Sequence, residues 1–443
     1  MSHPARSALI VGAGIGGLAA AWRLQRAGWQ VTVFEQAPHP AGRARTVRLG
    51  DCVVDVGATV MLGSYDATLA LVREAGLDSE LDVVNGKMAI PRDGQMHLVD
   101  LQHPVADFLR TRLLSPRTKL ALLKLVPVLL KAAPHLNFAH LGGAAGMDTE
   151  TLAQFCRRSL PAEAYDHLLN PMLKFLYLHN GEQGSLVELL WWLKVTGLKP
   201  TRALAGGTAS LTDALAAQLD VRCNAEVLAA HAQGDGAVVE VRTADGIATH
   251  TAARCLVTTP APVTARIAPS TLTERQVRFL ASRRYERSTV VTFCTRRRPA
   301  LDALMVQMPD AVNADLATLV FQHQIHRQRA PAGKGIVNAY FMHAWSERHL
   351  QADDAAVVRA AQTEVQRLVP EVAELDAHHV HRWQHTAALT ETGACARIAE
   401  FVADVNPANP VQCVGDYLAQ ASLNVAVSTA QAAVQRWIGQ LAQ

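Results

Sequence analysis

An α/β fold with more than one domain is predicted by three observations. Residues 8–35, ALIVGAGIGGLAAAWRLQRAGWQVTVFE, read as strand, glycine turn, helix and second strand. Two apolar stretches far along the chain, RCLVTTPAP at 254–262 and VQCVGDYL from 411, also read as strands. The chain has 443 residues, 49% hydrophobic and 18% charged, enough to bury a large core but too long for one ordinary domain. In order, the first strand is the apolar run 8–11 and the turn is Gly12, Gly14 and Gly17 in G-x-G-x-x-G spacing. Gly12 permits the tight turn, Gly14 lets backbone approach a pyrophosphate, and Gly17 lets helix and strand pack closely. The helix covers 16–27, and its free N–H groups and dipole favour a diphosphate at its start. The second strand, 30–34, ends in Glu35, which lies 18 residues after Gly17. That spacing suits a carboxylate that binds a ribose hydroxyl and repels the extra phosphate of NADP. The arrangement is Rossmann-like.

The segments that follow say which dinucleotide. Residues 37–46 read APHPAGRART and 51–62 read DCVVDVGATVML; GGTASLTDALAAQLDVRCNAEVLAA spans 206–230 and VQCVGDYLAQASLNVAVSTAQAAVQRW spans 411–437. Together they resemble the flavin amine oxidase and protoporphyrinogen oxidase-like superfamily across the chain. That resemblance implies bound FAD. It sets Gly42, Arg43 and Thr46 in a G-G-R-x-x-T segment, and Asp55, Gly57, Ala58 and Thr59 in a D-x-G-x-x segment beside the flavin. It lays the strand at Val227 against the adenine, and gives Asp416 of the Gly415–Asp416 pair the ribityl-phosphate side. The last helix, starting near Asn424 and Val425, would direct backbone N–H groups at the flavin edge that becomes anionic on reduction. Arg43 would supply a fixed cation for phosphate or flavin. The chain departs from the family at Ala41, the first glycine of its pattern, and at Thr429, where glycine is usual. Cys395 lies 20 residues before Gly415, roughly where some amine oxidases attach flavin covalently. Its flanking residues match that motif poorly, so non-covalent FAD is expected.

The expected architecture is therefore a Rossmann-like FAD-binding domain, assembled from 1–80, 200–265 and 400–443, with a mixed α+β substrate domain inserted twice, as 81–199 and 266–399. Flavin monooxygenases of similar beginning would carry Gly-Ala-Asp-Gly where this chain has the Thr-Thr-Pro of 254–262, and no second G-x-G-x-x-G marks an NAD(P)H domain. Within 113–136, Ser115–Pro116 starts a helix, three lysines punctuate it and Pro127 kinks it. It reads either as a core helix with solvated lysines or as a peripheral membrane contact. Asn170–Pro171 is read as a turn before a strand-like segment, and Ser185 as a helix cap.

For the substrate pocket the expected residues are Met61, Tyr177, Trp383 and Ser422, with Phe175 a further aromatic. In true amine oxidases a lysine holds a water beneath the flavin. Here Val291 or a neighbour fills that position, and no lysine occurs between 274 and 333. The cage tyrosine near the last helix would fall at about Ser422. Both departures favour the protoporphyrinogen oxidase and desaturase side of the superfamily. No catalytic acid or base is assigned, because hydride transfer from carbon beside a neutral amine needs no strong base. The expected function is dehydrogenation of a C–N or C–C bond of a small hydrophobic substrate, with O2 or another electron acceptor. A flavin-dependent isomerase or cyclase, a polyene desaturase at a membrane surface and an unreactive flavin-binding protein remain open.

A net charge of +3 and the lack of a basic stripe interleaved with aromatics exclude nucleic acid as the expected partner. Seven dispersed cysteines without a C-x-x-C pair read as thiols of a reducing compartment. With a strand starting soon after Met1, a cytoplasmic location is expected. His379 and His381 share a strand face in the cluster with His378 and His385. No cysteine or carboxylate accompanies them, so no metal site is expected.

Overall fold

The computed structural model describes residues 6–197 and 199–440. Its first layer is a parallel sheet of five strands in the order Val411–Cys413, Arg254–Val257, Ser7–Val11, Gln30–Phe34 and Asp220–Arg222. Strand Ser7–Val11 is buried throughout, which is why it reads as a continuous apolar run. Val11 stands opposite both Phe34 and Val257, so three strands end level and share one carboxyl edge. Helix Ile15–Arg26 leaves that edge and packs on the final helix, Leu423–Gln440. A side chain at Gly16 would come within 2.8 Å of the Ala426 carbonyl, so only glycine permits this approach.

A three-stranded antiparallel sheet, Glu226–Gln233, Gly236–Thr243 and Gly246–Ala252, lies beside this layer. The largest sheet has seven strands in the order 375–383, 288–295, 335–341, 316–321, 305–307, 87–92 and 95–100. Its central strands Ser288–Thr295 and Leu316–Phe321 are buried at every position. The chain is thus a mixed α/β fold, and the segment between 104 and 196 adds helices.

Two local expectations meet different outcomes. Ser115 caps a helix at Pro116–Ala121 by accepting the Thr118 N–H. A 3-10 turn at Leu122–Lys124 then separates it from helix Leu125–Ala132. Pro127 has no N–H for the carbonyl four residues back and its ring crowds that turn, so the break falls just before it. The turn and strand-like segment expected at Asn170–Pro171 are instead a helix, Asn170–Tyr177, continuing from a π turn at Tyr165–Leu169. Pro171 sits at the start of that helix, where its lack of an N–H costs little, and the wider π turn upstream makes room for its ring. Ser185 caps helix Leu186–Thr196 by accepting the Val187 N–H.

Candidate functional site

The carboxyl edge of the parallel sheet opens into a cavity of about 940 Å³. Fourteen of the residues named from sequence stand in its wall: Gly12, Gly14, Gly17, Glu35, Gly42, Arg43, Gly57, Ala58, Thr59, Val227, Trp383, Gly415, Asp416 and Ser422. The glycines divide the work. Gly12 adopts φ +99°, and a side chain at Gly17 would lie 1.9 Å from the Gly12 carbonyl, so both hold the turn itself. A side chain at Gly14 would meet nothing within 4 Å, because it would stand in the cavity. Helix Ile15–Arg26 starts there without a side-chain cap or an acidic first turn. Its unpaired N–H groups suit an anion. Glu35 accepts the Ala13 N–H at 2.8 Å on one carboxylate oxygen and the Ala37 N–H at 2.9 Å on the other, which fixes it at the cavity wall.

Arg43 and Asp416, separate expectations from sequence, meet. Arg43 Nη1 lies 2.6 Å from Asp416 Oδ2 and also donates to the Thr386 carbonyl at 3.0 Å. The Tyr285 hydroxyl donates to the other Asp416 oxygen at 3.3 Å. Asp416 is nearly fully buried, and the guanidinium gives its carboxylate a partner there. Both Arg43 bonds use Nη1, and among the described residues none claims the guanidinium's other donors.

Asp55 lies just behind this wall and does not line it. Its carboxylate meets Arg329 Nη1 at 2.7 Å and accepts from the Thr46 hydroxyl at 2.6 Å and the Thr208 N–H at 2.8 Å. Gln322, in the short helix after strand 316–321, and Asn338 of the large sheet donate to its backbone carbonyl at 2.5 and 2.7 Å. This network clamps the strand that delivers Gly57, Ala58 and Thr59. Sequence reading did not find Arg329, Gln322 or Asn338, since no local pattern surrounds them.

Away from the glycine turn the wall becomes apolar: Phe175, Leu176, Leu178, Met305, Val320 and Ile325, with Thr318, Tyr340, His381 and Trp383. Trp383 Nε1 donates to the Val56 carbonyl at 2.8 Å, and a side chain at Gly57 would approach its ring to 3.3 Å. The Tyr340 hydroxyl reaches the Gly57 carbonyl at 3.4 Å, and burial raises its pKa. Burial, then the Arg45 charge, lowers His381 to about 4, so its ring is neutral beside Trp383 at neutral pH. Thr318 spends its hydroxyl on the Val306 carbonyl at 2.8 Å. The whole lining includes no lysine and no cysteine. Val291 is buried in the large sheet, outside the lining. Among the described residues no group of three or more His, Cys, Asp or Glu could hold a metal.

Four expected residues lie elsewhere. Met61 is buried in the main core, and its backbone exchanges two 2.8 Å hydrogen bonds with Arg202. Tyr177 shares a buried helical stripe with Asn170, Leu173 and Lys174, and stacks on His179. The adjoining Phe175, Leu176 and Leu178 reach the cavity instead, because a helix turns about 100° per residue. Asn424 Oδ1 accepts from the backbone N–H and the hydroxyl of Thr68, tying two helices together. Val425 is fully buried, and its N–H is taken by the Ser422 hydroxyl at 3.1 Å. Ala421, Ser422, Leu423 and Ala426 form the wall there.

The open side of Gly14, the start of the uncapped helix, Glu35, Trp383 and Ser422 thus share one cavity. The chain matches the family model for flavin containing amine oxidoreductase over residues 15–438. Mitochondrial protoporphyrinogen oxidase of Nicotiana tabacum is 30% identical over 173 residues, 38% of this chain and 32% of that protein. The match thus spans about a third of that relative's length. Putrescine oxidase, in its wild-type structure bound to putrescine, superposes with a TM-score of 0.79 at 19% identity, covering 98% of this chain and 99% of that one. Cyclohexylamine oxidase from Brevibacterium oxydans IH-35A gives 0.76 at 16% identity, covering 99% and 100%. At these identities the likeness is one of fold. With the family model spanning nearly every residue, this chain belongs to the flavin-containing amine oxidoreductase family.

Proposed function

We propose that the protein dehydrogenates a C–N or C–C bond of a small, largely hydrophobic, uncharged substrate, with non-covalent FAD as cofactor and O2 or another acceptor taking the electrons. The observation that carries this is the apolar wall of Phe175, Leu176, Leu178, Met305, Val320 and Ile325, without lysine or carboxylate. Such a wall disfavours a protonated amine, which would lose hydration without gaining a partner. On this reading the cofactor half comes from 1–80, 200–265 and 400–443, and the substrate half from the rest.

The bound flavin supplies the hydride acceptor. The chain's residues bind, orient and exclude water. Glu35 would hold a ribose hydroxyl, and the N–H groups after Gly14 the diphosphate. Arg43, steadied by Asp416, would stand by the ribityl and phosphate side. Trp383 and Tyr340 flank Gly57 and would confine the substrate to one orientation. FAD in place of FMN is supported by Glu35 and Val227 in the cavity wall, which a mononucleotide would leave idle. Non-covalent binding is supported by Cys395, which is buried outside the lining, with burial pushing its thiol pKa up and away from the reactive thiolate.

The test has two parts. Cofactor released by heat should be FAD by mass spectrometry, and Glu35→Ala should weaken its binding about tenfold or more, the loss of a charge-assisted hydrogen bond. Anaerobic mixing with neutral hydrophobic amines or polyenes should bleach the yellow absorbance, faster as pH rises through the amine's own pKa. Bleaching that favours putrescine, or catalysis only after reduction by dithionite, would refute the proposed reaction.

A further inference from the structure

One stretch of surface outside the cavity lining is apolar where a protein facing only water would be polar. Val105, Leu109, Leu120, Leu123, Val126 and Leu130 are each between 48% and 69% exposed. They lie on helices Pro104–Arg110, Pro116–Ala121 and Leu125–Ala132, with Leu123 on the 3-10 turn Leu122–Lys124 between the last two. The opposite face of the same stretch is apolar too, with Leu125, Ala132 and Leu136 buried. A helical segment hydrophobic on both faces has a second apolar neighbour to meet.

Charge says what that neighbour is. Residues 108–147 contain no Asp or Glu, yet carry Arg110, Arg112, Arg117, Lys119, Lys124 and Lys131. Among the described residues none of these six makes an ion pair. Lys119 donates to the carbonyls of Leu109 and Thr111, and Lys124 to that of Ser159, which fixes two cations beside the exposed leucines. The nearby acids are engaged elsewhere: Asp107 accepts the Asp100 N–H, and Glu163 is held by Arg92 and Ser115. A second copy placed face to face would set these cations against their equals. No helix among the described residues is long and apolar enough to cross a membrane.

We propose that this surface docks on an anionic phospholipid bilayer, lying in its plane, with Leu109, Leu120, Leu123 and Leu130 among the acyl chains and the arginines and lysines at the headgroups. Beneath it lie Ile90, Leu113 and Leu114, with Met88 packed against them. Met88 stands opposite Met305, which lines the cavity, so the docked face adjoins its apolar half.

Cosedimentation of the flavin-loaded protein with vesicles tests this without turnover, independently of the proposed reaction. Vesicles of phosphatidylcholine with phosphatidylglycerol should capture the protein, phosphatidylcholine alone should capture far less, and high salt should release it. Leu123→Ser with Leu130→Ser should weaken capture about tenfold or more. Arg112→Gln with Arg117→Gln should erase the preference for phosphatidylglycerol. Flavin absorbance and Tm of each variant should match the parent, which separates loss of docking from loss of fold. No capture of the parent, or equal capture of both variants, would overturn the proposal. So would a vesicle-independent dimer that the leucine variant abolishes, or dependence on an acidic protein partner.

Discussion

Asp55 and Arg329 are both fully buried and 2.7 Å apart, and each is also hydrogen-bonded to other groups. Removing one member strands the other's charge away from water, which costs about 3–5 kcal/mol. Arg329→Met should therefore lower the unfolding free energy from urea titration by that much, and adding Asp55→Asn should recover part of the loss; an unchanged free energy would show that the clamp is not needed. The motif reading set the Asp55 segment beside the flavin. In the fold its carboxylate turns back to Arg329 and Thr208, so Asp55 is a positioning residue for Gly57. Ala41 is a second residue-scale finding. It holds φ +111°, a region that disfavours any side chain, at the site where the family pattern has glycine. The sequence departure and the backbone strain are one fact seen twice.

At the scale of elements, the strand, glycine turn and helix at 7–26 separate two uses of glycine that look alike in sequence. Gly17→Ala forces a side chain onto the Gly12 carbonyl and should destabilise the protein even without cofactor. Gly14→Ala meets nothing in the fold. It should leave the thermal midpoint of the flavin-free protein within a degree or two, since most substitutions that make no bad contact cost little. It should nevertheless weaken flavin binding about tenfold or more, because on the proposed reading the methyl would stand where the diphosphate binds. Flavin titration of both apo variants decides this, and normal affinity in Gly14→Ala would refute the placement. Helix Asn170–Tyr177 shows the opposite case. Its sequence indicates an apolar segment with aromatics, but which of Phe175 and Tyr177 meets the cavity depends on the helix's rotation, set by the elements packed around it.

At the scale of the whole molecule, buried imidazoles held below their ordinary pKa contribute to the response to acid. His323 is 3% exposed, accepts the Ile336 N–H on Nδ1, and is lowered by burial to about 4. Between about pH 6.5 and 4 the unfolded chain binds a proton that the folded chain excludes, so stability falls as pH falls through that window. At roughly 1.4 kcal/mol per pH unit, His323 alone contributes a loss of up to about 3 kcal/mol. His381 is shifted the same way, less effectively for being partly exposed. Denaturation midpoints measured from pH 7 to 4.5 should decline, and His323→Gln should flatten the decline. A parallel slope in that variant would assign the acid sensitivity elsewhere.

The sequence by itself determined the carboxyl edge of the parallel sheet: the level strands, the turn, Glu35 and the small residues at 41–42 and 57. These are local constraints, in which backbone sterics and a short alternation of apolar residues leave one conformation and therefore one legible pattern. It also carried the cation row beside 113–136, because charge is read directly from composition. Only the tertiary structure decided the rest. The Arg43–Asp416 pair, the clamp of Asp55 by Arg329, Gln322 and Asn338, and the stand of Tyr340 against Gly57 join segments hundreds of residues apart. Met61, Tyr177, Asn424 and Val425 were drawn into the core or into helix contacts for the same reason. Burial of each side chain depends on what packs over it, and a single sequence does not state which distant strand that will be.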